Sequence, residues 1–185
     1  IHIPFNSAAD RKYKSKNIHD KLLLACQDKR VSDAFAMFND DHFLLKPFQT
    51  VFHYCGTLEQ SIAKYTIHQT YRQTLANTMG LLDGGKDFDT HCPIVFQKEL
   101  FVRTMAMTDW SKPWGYGIKS LYCNLSGIEG EYYRDLKIKR PWPLASLKAM
   151  IADRPYFSID DRALNGSMDI LLNDLYPQKS KYESD

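Results

Sequence analysis

What this chain lacks narrows the field before any motif is considered. No run approaches the ~20 consecutive apolar residues that a membrane-crossing helix requires, and no signal-peptide pattern opens the sequence. A cytoplasmic protein is therefore expected, peripheral at the inner membrane face or held by a partner chain if it meets a membrane. Cysteine is sparse: Cys26, Cys55, Cys92 and Cys123 stand roughly thirty residues apart with no CxxC pair. That spacing excludes a dense disulfide scaffold and predicts free thiols in a reducing compartment, a structural zinc being the remote alternative. Charge of one sign is also lacking. With 24 Lys and Arg against 22 Asp and Glu, the net charge of +2 gives no bulk electrostatic case for a dedicated nucleic-acid binder. There is no internal repeat and no low-complexity tract. An initiator Met is absent too; the chain opens on Ile1-His2-Ile3-Pro4-Phe5, a strand-like start, so a nucleotide-binding segment is expected to lie upstream.

What is present is a core's worth of apolar residues. Of 185 positions 44% are hydrophobic and 13% aromatic, enough for one sizeable core and a single domain spanning 1–185.

The most informative stretch is an apolar run over 34–38 that stops abruptly at Asn39, Asp40, Asp41 and His42, then returns at once to Phe43, Leu44, Leu45, Lys46, Pro47 and Phe48. An apolar run that ends in acids reads as a buried strand delivering carboxylates to a sheet edge, where ligands of open α/β sheets gather. Two adjacent carboxylates repel unless a cation lies between them, and Mg²⁺ or Mn²⁺ suits oxygen ligands of this kind. Such an ion takes its remaining ligands from substrate phosphates. The same triplet is also ordinary turn chemistry.

Around this stretch the pattern alternates. Arg11, Lys12, Lys14 and Lys16 crowd the start of a helix carrying Ile18, Leu22, Ala25 and Cys26 at helical spacing. Cations oppose the dipole at a helix N-terminus, a conflict that a bound phosphate would resolve, while a solvated basic loop is the plain alternative. Strand, helix and strand here read as a βαβ unit. Further on, 59–82 reads as one long helix or a helix pair with Gly80 and the Gly84-Gly85 pair as stop signals, 97–107 as a helix, 116–124 as a helix, and 132–139 as a strand carrying Asp135. A short helix over 144–152, a strand over 155–159 and a helix over 162–175 follow, with Asp160 and Asp161 at the last junction as caps or as a second acidic pair. His91, directly before Cys92-Pro93, has little orientational freedom, which suits a base or ligand as well as a structural role. Trp110, Trp114 and Trp142 fit a core or a sugar-stacking surface.

Three motifs in order, Phe38-Asn39-Asp40-Asp41-His42-Phe43-Leu44, then Asp89-Thr90-His91-Cys92-Pro93 with Lys98-Glu99, then Phe157-Ser158-Ile159-Asp160-Asp161 running on through 175–183, resemble glycosyltransferases of the GT-A fold. The likeness is strongest to the group allied to Stealth-type capsular sugar-phosphate transferases of polysaccharide biosynthesis, and it spans 11–183. It implies an α/β fold, a GT-A-like (Rossmann-like) mixed sheet flanked by helices, here without a clear counterpart of the first strand and helix that grip the nucleotide base. It also implies a metal-dependent transferase moving a sugar, or a sugar phosphate, from a nucleotide-sugar donor to a hydroxyl acceptor such as a glycan, a lipid-linked glycan or a modified DNA base. On that resemblance Asp40 and Asp41 hold Mn²⁺ or Mg²⁺; Arg11, Lys14, Lys16 and Asn17 touch the donor; and His91, Asp161 and Asp135 are the candidate catalytic groups. The motif is Asp-Asp-His, not Asp-any-Asp. Two other classes compete: a metal-dependent phosphoesterase or nuclease using Asp40, Asp41 and His91, and a non-enzymatic binding module whose acids are turns and caps.

Overall fold

The computed structural model describes residues 3, 5, 13–47, 49–65 and 69–178 and shows an α/β protein of small sheets and short helices. Two compact units can be distinguished, each assembled from three separated stretches of chain.

The first unit draws on Ile1–Met37, Thr50–Thr90 and Ile94–Arg134. Its first helix, α1 (Lys14–Gln27), turns Ile18, Leu22 and Cys26 onto the core as their spacing predicts, with Leu23 joining them in place of the expected Ala25. Lys16 pairs with Asp20 one turn on, so part of the crowded positive charge is balanced within the helix. Strand β1 (Ala34–Met37) alternates between exposed and half-buried residues and pairs antiparallel with β4 (Ile94–Gln97). It is therefore not an interior strand; the strand-like opening 1–5 that would complete a βαβ unit lies largely outside the described residues. A two-stranded ribbon leaves both its outer edges unpaired, and a continuous apolar run does not by itself bury both faces.

The next pair of strands, β3 (His53–Tyr54) and β5 (Glu131–Tyr132), runs parallel. Helix α2 (Leu58–Lys64) starts at a complete capping box, in which Thr57 and Gln60 satisfy each other's backbone N–H groups. Helices α3 (Gln69–Leu82), α4 (Lys98–Met105) and α5 (Ile118–Leu125) complete the unit. Its centre is aromatic: Phe96 meets Phe101 and Tyr122 edge-on at 4.9 Å between centroids in each case, and all three are buried. Such pairs contribute about 0.5–1.5 kcal/mol each beyond their burial.

The second unit consists of Phe38–Gln49, His91–Pro93 and Asp135–Asp185. Its sheet has the order β2 (His42–Leu44), β7 (Tyr156–Ile159), β6 (Lys137–Ile138), with β2 antiparallel and β6 parallel to β7. Expected as one strand, 132–139 is divided between β5 and β6, with Asp135 in the link. Side chains alternate faces along a strand, so register fixes two different surfaces. Phe43 opposes and stacks on Phe157 at 5.1 Å, and Ile138 opposes Ile159. That face packs into a cluster with Leu147 and Ile151 of α6 (Leu144–Ile151) and Met168 and Leu171 of α7 (Gly166–Leu175). On the other face His42, Ser158 and Lys137 lie side by side in register.

The last helix starts later than its sequence suggests. Asp161–Ala163 forms a single 3-10 turn capped by the Asp160 side chain, Leu164 is extended and 51% exposed, and α7 begins only at Gly166 with Asn165 as its cap. Asn165 Oδ1 accepts the Met168 N–H at 3.0 Å, and this local bond wins over continuing the helix from 162.

Candidate metal centre

The turn 39–42 that joins β1 to β2 is closed by the His42 N–H donating to the Asn39 carbonyl at 3.2 Å. Turn chemistry and acid delivery, alternatives in the sequence, thus coexist. Asp40 is exposed on the turn, whereas Asp41 is half-buried and His42 enters β2 with its side chain 1% exposed.

Ligand-capable atoms of Asp41, His42 and His91 all lie within 4.8 Å of one another, and among the described residues they form the one such cluster of three. Asp41 Oδ1 is buried without a hydrogen-bond partner among the described residues, 3.7 Å from His42 Nε2. Asp41 Oδ2 accepts a 2.7 Å bond from Lys137 Nζ on β6. Burial pushes the Asp41 carboxyl up, but the Lys137 ammonium, with His42 and His91 close by, outweighs it and holds the group below its ordinary value. The carboxylate is thus ionised at neutral pH and only half satisfied.

The two imidazoles are positioned differently. The Asn39 N–H points at His42 Nδ1 at 3.4 Å, so a neutral His42 carries its proton on Nε2, toward Asp41. To ligate a metal through Nε2 it must shift that proton to Nδ1 and release a contact at the outer limit of hydrogen-bond length. His91 is held through its backbone, whose N–H donates to Asp135 Oδ2 at 2.7 Å. Asp135 therefore fixes the turn that presents His91.

This donor set fits a divalent ion. An orphaned carboxylate oxygen beside two imidazoles is a mixed oxygen and nitrogen site, in which the imidazoles suit Zn²⁺ and other later first-row ions and the carboxylate suits Mn²⁺ or Mg²⁺. It differs from the expected pair in one respect: the structure brings Asp41 together with two histidines, and Asp40 is not in the cluster.

Asp161 is not a member of that cluster. Asp161 is exposed on the 3-10 turn, and its neighbour Asp160 is held low by hydrogen bonds and charge from Arg162, with Nε at 2.7 Å. Lys14, Lys16 and Asn17 occupy the first turn of α1 in the other unit, and Arg11 lies outside the described residues. Trp110 is buried, stacked on His19 at 4.0 Å with its indole N–H donating to the Met105 carbonyl, so it fills the core. Trp142 lies beneath the Arg140 guanidinium at 4.4 Å.

The sequence motifs contain His42 and Ser158 without giving either a ligand role, and they leave out Lys137. The His42 signal was present, an imidazole one step beyond a strand-end acid. Lys137 gave none, because its partner is 96 positions away. A motif of the first unit has a structural explanation: Asp89 lies across the N-terminus of α5, accepting from Ser120 Oγ at 2.6 Å and from the Lys119 and Ser120 N–H groups at 3.3 Å each. Burial and the neighbouring Asp87 push its carboxyl up to about 6.

No protein-family model matches this chain, and no curated protein sequence matches it.

Proposed function

We propose that this chain is a metal-dependent glycosyltransferase in which Asp41, His42 and His91 hold a divalent ion, Mn²⁺ by preference, against the diphosphate of a nucleotide-activated sugar. One observation carries the reading: the two motifs that the glycosyltransferase resemblance singles out, 38–44 and 89–93, contribute ligand atoms within 4.8 Å of one another. The bound ion would supply Lewis-acid neutralisation of charge on the leaving diphosphate. The chain's own residues do the rest. Asp135 anchors the backbone at His91, Lys137 keeps Asp41 ionised, and the turn at Asn39 orients His42. The donor sugar and a hydroxyl-bearing acceptor complete the reaction, and the mixed sheet over α6 and α7 belongs on this reading to a GT-A-like domain.

The presence of two imidazoles favours a second reading, a metal-dependent phosphoesterase, because hydrolases build sites from mixed histidine and carboxylate ligands. Thermal shift separates the two. Mn²⁺ with UDP or GDP should stabilise the protein more than either alone, by about 2.7 kcal/mol when ligand stands at 100 times its Kd. Stabilisation by Mn²⁺ with no added effect of any nucleoside diphosphate would favour the hydrolase. No response to Mn²⁺ would overturn both and leave a binding module. Asp41→Asn should abolish the Mn²⁺ response with the melting temperature of the metal-free protein nearly unchanged.

A further inference from the structure

The polar row on the second unit's sheet is unusual in what it leaves undone. His42, Ser158 and Lys137 are register partners on three adjacent strands, opposite the apolar face that carries Phe43 and Phe157. Ser158 is 0% exposed, yet its Oγ meets no hydrogen-bond partner among the described residues, and Asp41 Oδ1 beside the row meets none either. A buried hydroxyl or carboxylate oxygen left unsatisfied costs free energy, so two of them in one place mark a network that is completed by something else. Among the described residues the cation that reaches Asp41 through a hydrogen bond is Lys137 Nζ, at 2.7 Å from Oδ2, and a divalent ion taken up at the open Oδ1 would stand beside that ammonium.

Resting on the metal reading above, we infer that Lys137 is a surrogate cation: it neutralises Asp41 until a divalent ion arrives at Oδ1, is driven off Oδ2 by that ion's charge, and then turns its ammonium to the diphosphate of the substrate. The exchange at Asp41 makes and breaks no covalent bond and leaves Lys137 protonated; the one proton that moves is the His42 shift from Nε2 to Nδ1 that ligation through Nε2 requires. The exchange makes metal and phosphate binding cooperative, since the metal frees the residue that the phosphate needs. Lys137 is a positioning and anion-binding residue here. Its long flexible stem and compact charge suit such a swing better than a guanidinium would.

The inference has a signature of opposite signs. Mn²⁺ binding and the binding of inorganic pyrophosphate in the presence of Mn²⁺ would be measured by titration calorimetry on the full chain. Lys137→Met should bind Mn²⁺ about tenfold more tightly, because no ammonium competes for Asp41, and pyrophosphate about tenfold or more weakly, through loss of a charged hydrogen bond. Lys137→Arg keeps the charge balance of the fold; it should weaken Mn²⁺, because a guanidinium grips a carboxylate in two places, while holding pyrophosphate affinity within about threefold. A purely structural salt bridge predicts the reverse for the methionine variant, since a misplaced Asp41 binds metal less well. Unchanged or weaker Mn²⁺ binding by Lys137→Met, or unchanged pyrophosphate affinity, would overturn the inference while leaving the metal reading standing. Failure of Lys137→Met to fold would leave the decision to Lys137→Arg, whose Mn²⁺ affinity must fall. A wild-type protein that binds no Mn²⁺ would overturn both.

Discussion

Gly117 offers a prediction in which the sign of a substitution depends on a neighbour. A Cβ built on Gly117 would stand 2.0 Å from Asp89 Oδ2 and 2.9 Å from its Cγ, inside the 3.0 Å that real Cβ atoms keep. The backbone itself is unremarkable, at φ −71° and ψ 106°, so the obstacle is wholly the carboxylate. Gly117→Ala must push Asp89 off the start of α5, lengthening a charge-assisted bond worth about 1.5–3 kcal/mol and adding about 1–3 kcal/mol of overpacking. A loss of about 3 kcal/mol is expected, read as a lower midpoint in guanidinium titration followed by tryptophan fluorescence. In an Asp89→Ala background the three nearest obstructing atoms are gone. There Gly117→Ala should be neutral or stabilising by about 0.4–1 kcal/mol, through the reduced freedom of the unfolded chain. The coupling energy from the double-mutant cycle is the observable. Equal costs of Gly117→Ala in the two backgrounds would refute the assignment of Asp89 as the cap of α5.

Three further outcomes are expected. Because the folded chain holds a proton on Asp89 to about 6 and an ordinary Asp loses it near 3.8, the folded state binds more protons between those values. This group's contribution is therefore fully present below pH 3.8 and is lost as pH rises through 6, by at most about 1.4 kcal/mol per unit; Asp89→Asn should flatten that slope in a pH series of denaturant titrations. Asp135→Ala removes the acceptor for the His91 N–H and should weaken Mn²⁺ about 10–100-fold by calorimetry, with the melting temperature of the metal-free protein little changed. Phe157→Ala deletes a fully buried ring stacked on Phe43 and should cost about 3–5 kcal/mol, seen as early loss of the second unit's signal at Trp142 in thermal unfolding.

Much of the framework was legible because it rests on local signals. Helical spacing located α1, α4 and α5, Gly84 and Gly85 marked the end of α3, and the apolar runs at 34–38 and 155–159 located β1 and β7. What local signals could not supply was pairing. β1 and β4 join antiparallel in a ribbon that the apolar run alone could not distinguish from an interior strand. The start of α7 was misplaced because the Asn165 cap competes with a helical pattern that extends smoothly back to 162. At the metal centre the acid at 41 and the imidazole at 91 were readable as chemistry-bearing residues. Lys137 became meaningful only when β6 was laid beside β7, since a lysine in a run of Lys137-Ile138-Lys139-Arg140 looks like solvated charge.

The stitching of the second unit has a temporal consequence. Among the described residues strand β2 pairs with β7 alone, so the segment holding Asp41 and His42 leaves the ribosome long before the strand that shelters it exists. A nascent chain halted ahead of residue 156 would carry Asp41 and His42 without the strand that β2 pairs with. The ability to capture a metal ion should then emerge late in synthesis, as a step gated by arrival of the C-terminal segment, and should vanish in truncations that end before β7.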